Sequence, residues 1–330
     1  MSAPVVEVLG EHWELPDPAL KALWARCLSR GEPGRRLVHA GTSYDWTAAV
    51  TMQSIEARAG DWLMLHAAGV SGADGAVAAL VAASGTGKST AARTLCRGDF
   101  GYVTDETVAV RADHSVVPFP KPIAVIPAPG AGKVELGPDA LGLRHCPERL
   151  RLGGLILLER RADAAGAVVE LLDLLDGMVA VAPHISALPQ LPGALARFAA
   201  AVEEAGGVHR VTYREAAQLP EIVHQVLAAA PVCSGFRHHP ARTAAARPGI
   251  VRSQHRDAIE LDGEVLVLDG STCVLLQGIG SLVWLAADEP RTVEQIHDVV
   301  VAAAGEHPDA ERLVRRAVSD LMELGVLVAG

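Results

Sequence analysis

Nine residues constrain this chain more than any others: Ala82-Ala83-Ser84-Gly85-Thr86-Gly87-Lys88-Ser89-Thr90. An apolar run, Ala76 to Val81, leads in, and a helix-like run, Thr90 to Cys96, leads out. That is the strand–loop–helix order of a phosphate-binding loop. Gly85 and Gly87 let the backbone reach positive φ and come close to a phosphate. The amides from Ser84 to Thr90 then form an anion nest at a helix N-terminus. Lys88 supplies a charge for the outer phosphates, and Ser89 a hydroxyl for Mg²⁺, so ATP with Mg²⁺ is the implied ligand. Ala82 stands where the first glycine of such loops is expected, but Gly-x-Gly-Lys-Ser-Thr is whole. The chain has only four lysines, Lys21, Lys88, Lys121 and Lys133, which argues against a chance lysine in this position.

Composition narrows the class. The 330 residues suffice for two domains, and 50% are hydrophobic, enough for a sizeable core. A net charge of −10 with no basic run argues against a nucleic-acid partner. The five cysteines, Cys27, Cys96, Cys146, Cys233 and Cys273, show no metal-type pairing and read as reduced thiols. No basic-then-apolar leader and no membrane-length apolar run is visible. The expectation is a soluble cytoplasmic protein with no membrane partner.

Along the chain, Val5 to Leu9 reads as a strand, Pro18 to Ser29 as a helical run and Arg36 to Ala40 as a further strand. Trp62 to Val70 and Ala76 to Val81 flank an Asp74-Gly75 turn, a hairpin signal that puts His66 on a strand paired with the one feeding the loop. Phe100 to Val110 is β-rich but interrupted by Asp105-Glu106. Neighbours on a strand point to opposite faces, so both acids meet one ligand only if the strand bends or ends there. Pro127 to Lys133 ends in Gly130-Ala131-Gly132-Lys133, which mimics a phosphate loop, but Val134 replaces Ser/Thr and no strand leads directly into it, so it reads as a mobile loop over the site. Leu152 to Glu159 is a buried strand ending in an acid, so Glu159 competes with Asp105-Glu106 for the metal-side carboxylate. Leu188 to Ala205 reads as an amphipathic helix, and Val208 to Tyr213 as the strand closing the first domain.

His66, the Ser84-to-Ser89 loop and Val103-Thr104-Asp105-Glu106 together resemble HPr kinase/phosphorylase. More closely they resemble the HPr-kinase-related proteins of peptide biosynthesis clusters, whose proline-rich segment is similar to Pro118 to Ile123. The resemblance covers about residues 60–125 well. The family's Arg-Gly-Leu/Met-Gly stretch, with its metal-binding glutamate, is not recognisable. The resemblance implies an α/β nucleotide-binding domain over residues 1–230. It implies Asp105 as general base oriented by His66, Lys88 on the phosphates, and Ser89 with Glu106 on Mg²⁺.

Residues 231–250, rich in Ala, Pro, Arg and His, read as a linker, with His238-His239 too poor in neighbouring ligands for zinc. Residues 251–330 carry six arginines against fourteen acids. Two Asp-Gly turns, Asp262-Gly263 and Asp269-Gly270, punctuate three strands. Three helices follow, near 278–287, 292–304 and 309–324. This small α+β, winged-helix-like module is similar to PqqD, on Asp262-Gly263-Glu264-Val265-Leu266, Gly280-Ser281-Leu282-Val283-Trp284, Arg291 to Ile296 and Leu321 to Leu327. The resemblance implies that a precursor's leader peptide adds as a strand beside Cys273–Leu276 and against Leu313–Leu324.

The resulting expectation is an ATP-dependent Ser/Thr kinase acting on a ribosomally made precursor peptide. Two rivals are a non-catalytic, nucleotide-gated peptide chaperone and a metabolic kinase for a small molecule or carrier protein. The sequence leaves the oligomeric state open, a homo-oligomer included.

Overall fold

The Asp74-Gly75 turn closes a hairpin, as its sequence requires. β1 (Ala67–Ser71) runs antiparallel to β2 (Ala76–Val81), with Ala67 opposite Val81 and Ser71 opposite Val77. Gly75 adopts φ 87°, and a Cβ there would lie 2.1 Å from the Arg149 carbonyl oxygen, so only glycine fits this turn. In the computed structural model of the protein, residues 3–31, 35–37, 41–83, 85–127, 132–241, 248–254 and 257–330 are described. They form two compact units, Met1–Leu191 with Ala200–Val232, and Pro192–Ala199 with Cys233–Gly330.

The first unit is built on a mixed six-stranded sheet. β2 feeds the glycine-rich loop and α1 (Lys88–Arg97), after which come β3 (Gly101–Thr104), β4 (Arg151–Arg160), β5 (Val168–Leu172) and β6 (Val208–Tyr213). The strand order is β5-β6-β4-β2-β1-β3. β2, β4 and β6 are parallel to one another, with Leu157 opposite Val81 and Leu155 opposite Val208. Every residue of β2 is buried, as its unbroken apolar run demands of a central strand. Ala91, Ala92 and Leu95 of α1 pack with Ile222, Val223 and Val226 on Val70, Ala78 and Leu80. Each fully buried Leu, Val or Ile there contributes roughly 1.5–3 kcal/mol. The loop therefore sits at the C-terminal ends of parallel strands, anchored by apolar packing on either side of it.

A second, smaller sheet, ordered Ile185–Ser186, Leu63–Leu65, Val108–Val110 and Val116–Val117, shares two chain passes with the first. Trp62 to Val70 is thus two strands broken at His66, and Phe100 to Val110 is two strands broken at 105–107. Thr104 holds the second break, its Oγ1 accepting from the Glu106 and Thr107 amides at 3.2 and 3.4 Å. Pro18 to Ser29, expected as helix, is two 3-10 turns and a short strand. The expected helix from Leu188 to Ala205 begins only at Ala194, because Pro192-Gly193 interrupts it. Of the expected strand from Arg36 to Ala40, positions 38–40 lie outside the described residues, as do positions 128–131 of the loop read over the site.

The second unit has an antiparallel sheet of β7 (Arg237–Pro240), β8 (Asp257–Leu261), β9 (Glu264–Asp269) and β10 (Thr272–Leu276), in that order. Helices α2 (Ile279–Ala286), α3 (Val293–Ala304) and α4 (Ala310–Glu323) follow, and Val314, Ala317, Val318 and Leu321 are the buried face of α4. The stretch read as a linker contributes β7, so residues 237–240 belong to this sheet and are not a tether. Their side chains explain it. His238 Nε2 lies 2.5 Å from buried Asp257, and His239 Nε2 2.9 Å from Glu260. Asp257 also accepts from the Leu195 amide at 2.7 Å, which ties Pro192–Ala199 to this unit. Among the described residues no helix is long and apolar enough to cross a membrane.

Candidate functional site

The loop between β2 and α1 forms around its glycines. Gly85 and Gly87 take φ 81° and 104°, both left-handed, and Thr86 closes the turn by donating its hydroxyl to the Ala83 carbonyl at 2.6 Å. Gly87 then caps α1 without a side chain, and no acid occupies the first turn. Two other helices show the contrast. Ser43–Ala57 and α3 both open on complete capping boxes, Thr42 with Asp45 and Thr292 with Gln295. Those boxes satisfy their first amides internally. α1 has no such box, so no side chain caps its first amides. Lys88 is buried, and its Nζ donates to the Ala82 and Ala83 carbonyls at 2.7 and 3.3 Å. Burial pulls its pKa below the ordinary lysine value, against the pull of Glu106 and Asp105. Ser84 lies outside the described residues.

The two sheet breaks face this loop. A cavity of about 490 Å³ is lined by Gly85, Gly87, Lys88, Ser89 and Thr90 on one side and by His66, Asp105, Glu106 and Lys121 on the other. Arg93, Tyr44, Lys133 and the apolar Ala124, Val125 and Ile126 complete its wall. Three of the chain's four lysines thus meet in one cavity. The acids avoid the alternation of a strand because the strand ends at Thr104. Asp105 is buried and accepts three hydrogen bonds: from Ser89 Oγ at 2.9 Å, from Tyr102 Oη at 3.1 Å and from Lys121 Nζ at 3.0 Å. Burial first, then the Asp105 carboxylate, push the Tyr102 phenol well above its usual range, so its hydroxyl remains a donor.

Glu106 is more open, with a side chain 40% exposed. Its Oε1 lies 3.6 Å from His66 Nδ1 and its Oε2 3.6 Å from Lys121 Nζ. The expected pairings are therefore exchanged: Ser89 is joined to Asp105, not Glu106, and His66 stands beside Glu106, not Asp105. His66 also does not lie within a strand. It sits in the break, with its amide donating to the His184 carbonyl at 2.7 Å. Glu159 is elsewhere, ion-paired to Arg210 at 3.3 Å and Arg161 at 3.7 Å, and it does not line the cavity.

Lys121 was not singled out from the sequence as a site residue. Burial alone would lower its pKa, but Asp105 and Glu106 outweigh that and hold it above the ordinary lysine value. Its Nζ also donates to the Pro122 carbonyl at 3.1 Å. The signal was present: a lysine between two prolines, in a chain with few lysines. His184 is a second addition. Burial, then the charges of Lys88 and His66, hold its imidazole below the usual range and favour the neutral form.

The donor set fits a magnesium nucleotide. Hard oxygen ligands, Ser89 Oγ and the two carboxylates, stand beside free amides and Lys88. Among the described residues no cluster of His, Cys, Asp and Glu could hold a metal by itself. Mg²⁺ sites for phosphoryl transfer do not need one, since phosphates complete the coordination.

No protein-family model matches the chain. No curated protein is significantly similar to it.

Proposed function

We propose that the first unit is an Mg²⁺-dependent ATP phosphotransferase, and that the chain phosphorylates a Ser or Thr hydroxyl of a ribosomally made precursor peptide. The observation that carries this is the 2.9 Å hydrogen bond from Ser89 to Asp105. It joins the first turn of an uncapped, glycine-led helix to a buried acid, the pairing that flanks Mg²⁺ in phosphate-loop enzymes. Ser89 and Asp105 would hold the Mg²⁺, which supplies charge neutralisation on the outer phosphates when bound.

The chain's own groups do the rest. The amides of residues 85–90 and Lys88 bind the phosphates. Glu106, open to the cavity, takes the proton of the acceptor hydroxyl, and His66 at 3.6 Å orients it. The acceptor oxygen forms its bond to the γ-phosphorus as the bond to the bridging oxygen breaks, and ADP leaves. Asp105 is left for the metal because three donors already occupy its oxygens. The assignment thus reverses the acid roles that the resemblance implied.

For the second unit we propose leader-peptide binding. β10 is an edge of its sheet, paired only with β9 among the described residues, so its outer backbone is open to strand addition beside α4. The acidic excess of residues 251–330 disfavours nucleic acid. The five cysteines are unpaired, which suits a reducing, ATP-supplied cytoplasm.

The test is transfer from γ-labelled ATP, with Mg²⁺, to a Ser- or Thr-containing precursor peptide with and without its leader. Label on the peptide is expected, with deletion of the leader raising the peptide concentration required. ATP binding without transfer would favour a nucleotide-gated chaperone. Transfer indifferent to the leader would favour a kinase for another acceptor.

A further inference from the structure

Arg93 is the remaining cation of the cavity wall. It lies on α1, one helical turn beyond Ser89, and so on the same helix face. Helical side chains lean back toward the N-terminus, which carries its guanidinium toward the Ser89–Asp105 end of the cavity it lines. The other cations there are committed. Lys88 donates to loop carbonyls, Lys121 holds the two acids, and Lys133 lies over the Tyr44 ring at 5.2 Å. Arg93 has no such commitment: its Nε is buried without a hydrogen-bond partner, and no carboxylate pairs with it among the described residues. A guanidinium cannot shed its charge to ease burial, and an unmet buried donor is costly. Its planar fork matches the paired oxygens of a phosphoryl group.

We infer that Arg93 contacts the terminal phosphoryl group of the bound nucleoside triphosphate and acts as an arginine supplied in cis to the transferring group. This rests on the phosphotransferase reading above. The orphaned Nε donor is then satisfied by ligand, and the charge that develops on the phosphoryl oxygens during transfer meets a cation already at the cavity wall.

The experiment uses the full chain and two probes, Mg²⁺ with ADP and Mg²⁺ with the β,γ-imido analogue of ATP, titrated calorimetrically. Wild type should bind both. Arg93→Met should bind ADP as wild type does, which also shows that its loop is intact, and bind the imido analogue at least tenfold more weakly. Its rate of ATP turnover should fall about 10³-fold or more. Arg93→Lys should regain part of the imido-analogue affinity, because it restores the charge without the fork. Equal affinity of wild type and Arg93→Met for the imido analogue would overturn the inference. So would an equal loss for both nucleotides, which marks a structural role. A wild type that binds neither probe removes the phosphotransferase reading itself, and the inference with it.

Discussion

The two walls of the cavity are made in opposite ways. The phosphate wall is one unbroken stretch, Gly85 to Thr90, and works largely through its backbone: two left-handed glycines and a helix end without a cap. The acid wall is assembled from segments far apart in sequence, His66, Asp105-Glu106 and Lys121, and works through side chains. His66 and Asp105-Glu106 stand where two chain passes leave one sheet for another, and Lys121 joins them through its ion pair with Asp105. A backbone cradle can be spelled locally, whereas a side-chain wall depends on where strands stop. The same contrast fixes where substitutions should be severe.

The largest effect should come from the acids. Glu106→Gln should keep Mg²⁺-nucleotide affinity and lose about 10²–10⁴-fold in transfer rate, as removal of a general base does. Asp105→Asn should instead raise the Mg²⁺ concentration at which transfer is half-maximal. Rates measured across a Mg²⁺ series separate the two. An Asp105→Asn protein with ordinary Mg²⁺ dependence and no transfer, beside a near-normal Glu106→Gln, would return the roles to those the resemblance implied.

Lys121→Met comes next. Lys121 and Asp105 side chains are 6% and 5% exposed, so removing the lysine leaves a buried carboxylate without its cation. Loss of one partner of a buried pair costs about 3–5 kcal/mol. Urea denaturation of the variant should show an unfolding free energy lower by that amount, seen as a lower midpoint at unchanged slope, whereas Lys133→Met, at the cavity wall, should be close to wild type. Equal stability of the two variants would mean that Lys121 does not hold the acid wall together.

The sequence made the phosphate wall legible down to single residues, because Gly85, Gly87, Lys88 and Ser89 act where they stand. The hairpin at Asp74-Gly75 and the helices of the second unit were equally local. The acid wall was legible only as ingredients. His66 and Asp105-Glu106 could be picked out, but which acid faced Ser89 depended on the bend that Thr104 sets, and no local pattern carries that. Lys121 enters through a tertiary contact with Asp105. β7 was hidden by its composition, since its histidines became strand-worthy only through Asp257 and Glu260 on the neighbouring strand.

The smallest effect sharpens the comparison from the backbone side. Gly85→Ala meets no atom within 4 Å of the new Cβ, so its cost is the left-handed φ alone. That is about 1–2 kcal/mol, or roughly 5–30-fold in nucleotide affinity. Calorimetry should show this modest weakening with folding retained. A complete loss of binding would show that the loop tolerates no strain at all.

The central claim is that the two walls enclose a nucleotide site. Titration of the full chain with Mg²⁺ and ADP, for wild type and Lys88→Ala side by side, tests it most directly. Saturable one-to-one binding by wild type and its loss in a folded Lys88→Ala protein are the expected result. Wild type that fails to bind, or a Lys88→Ala protein that binds equally well, would contradict it.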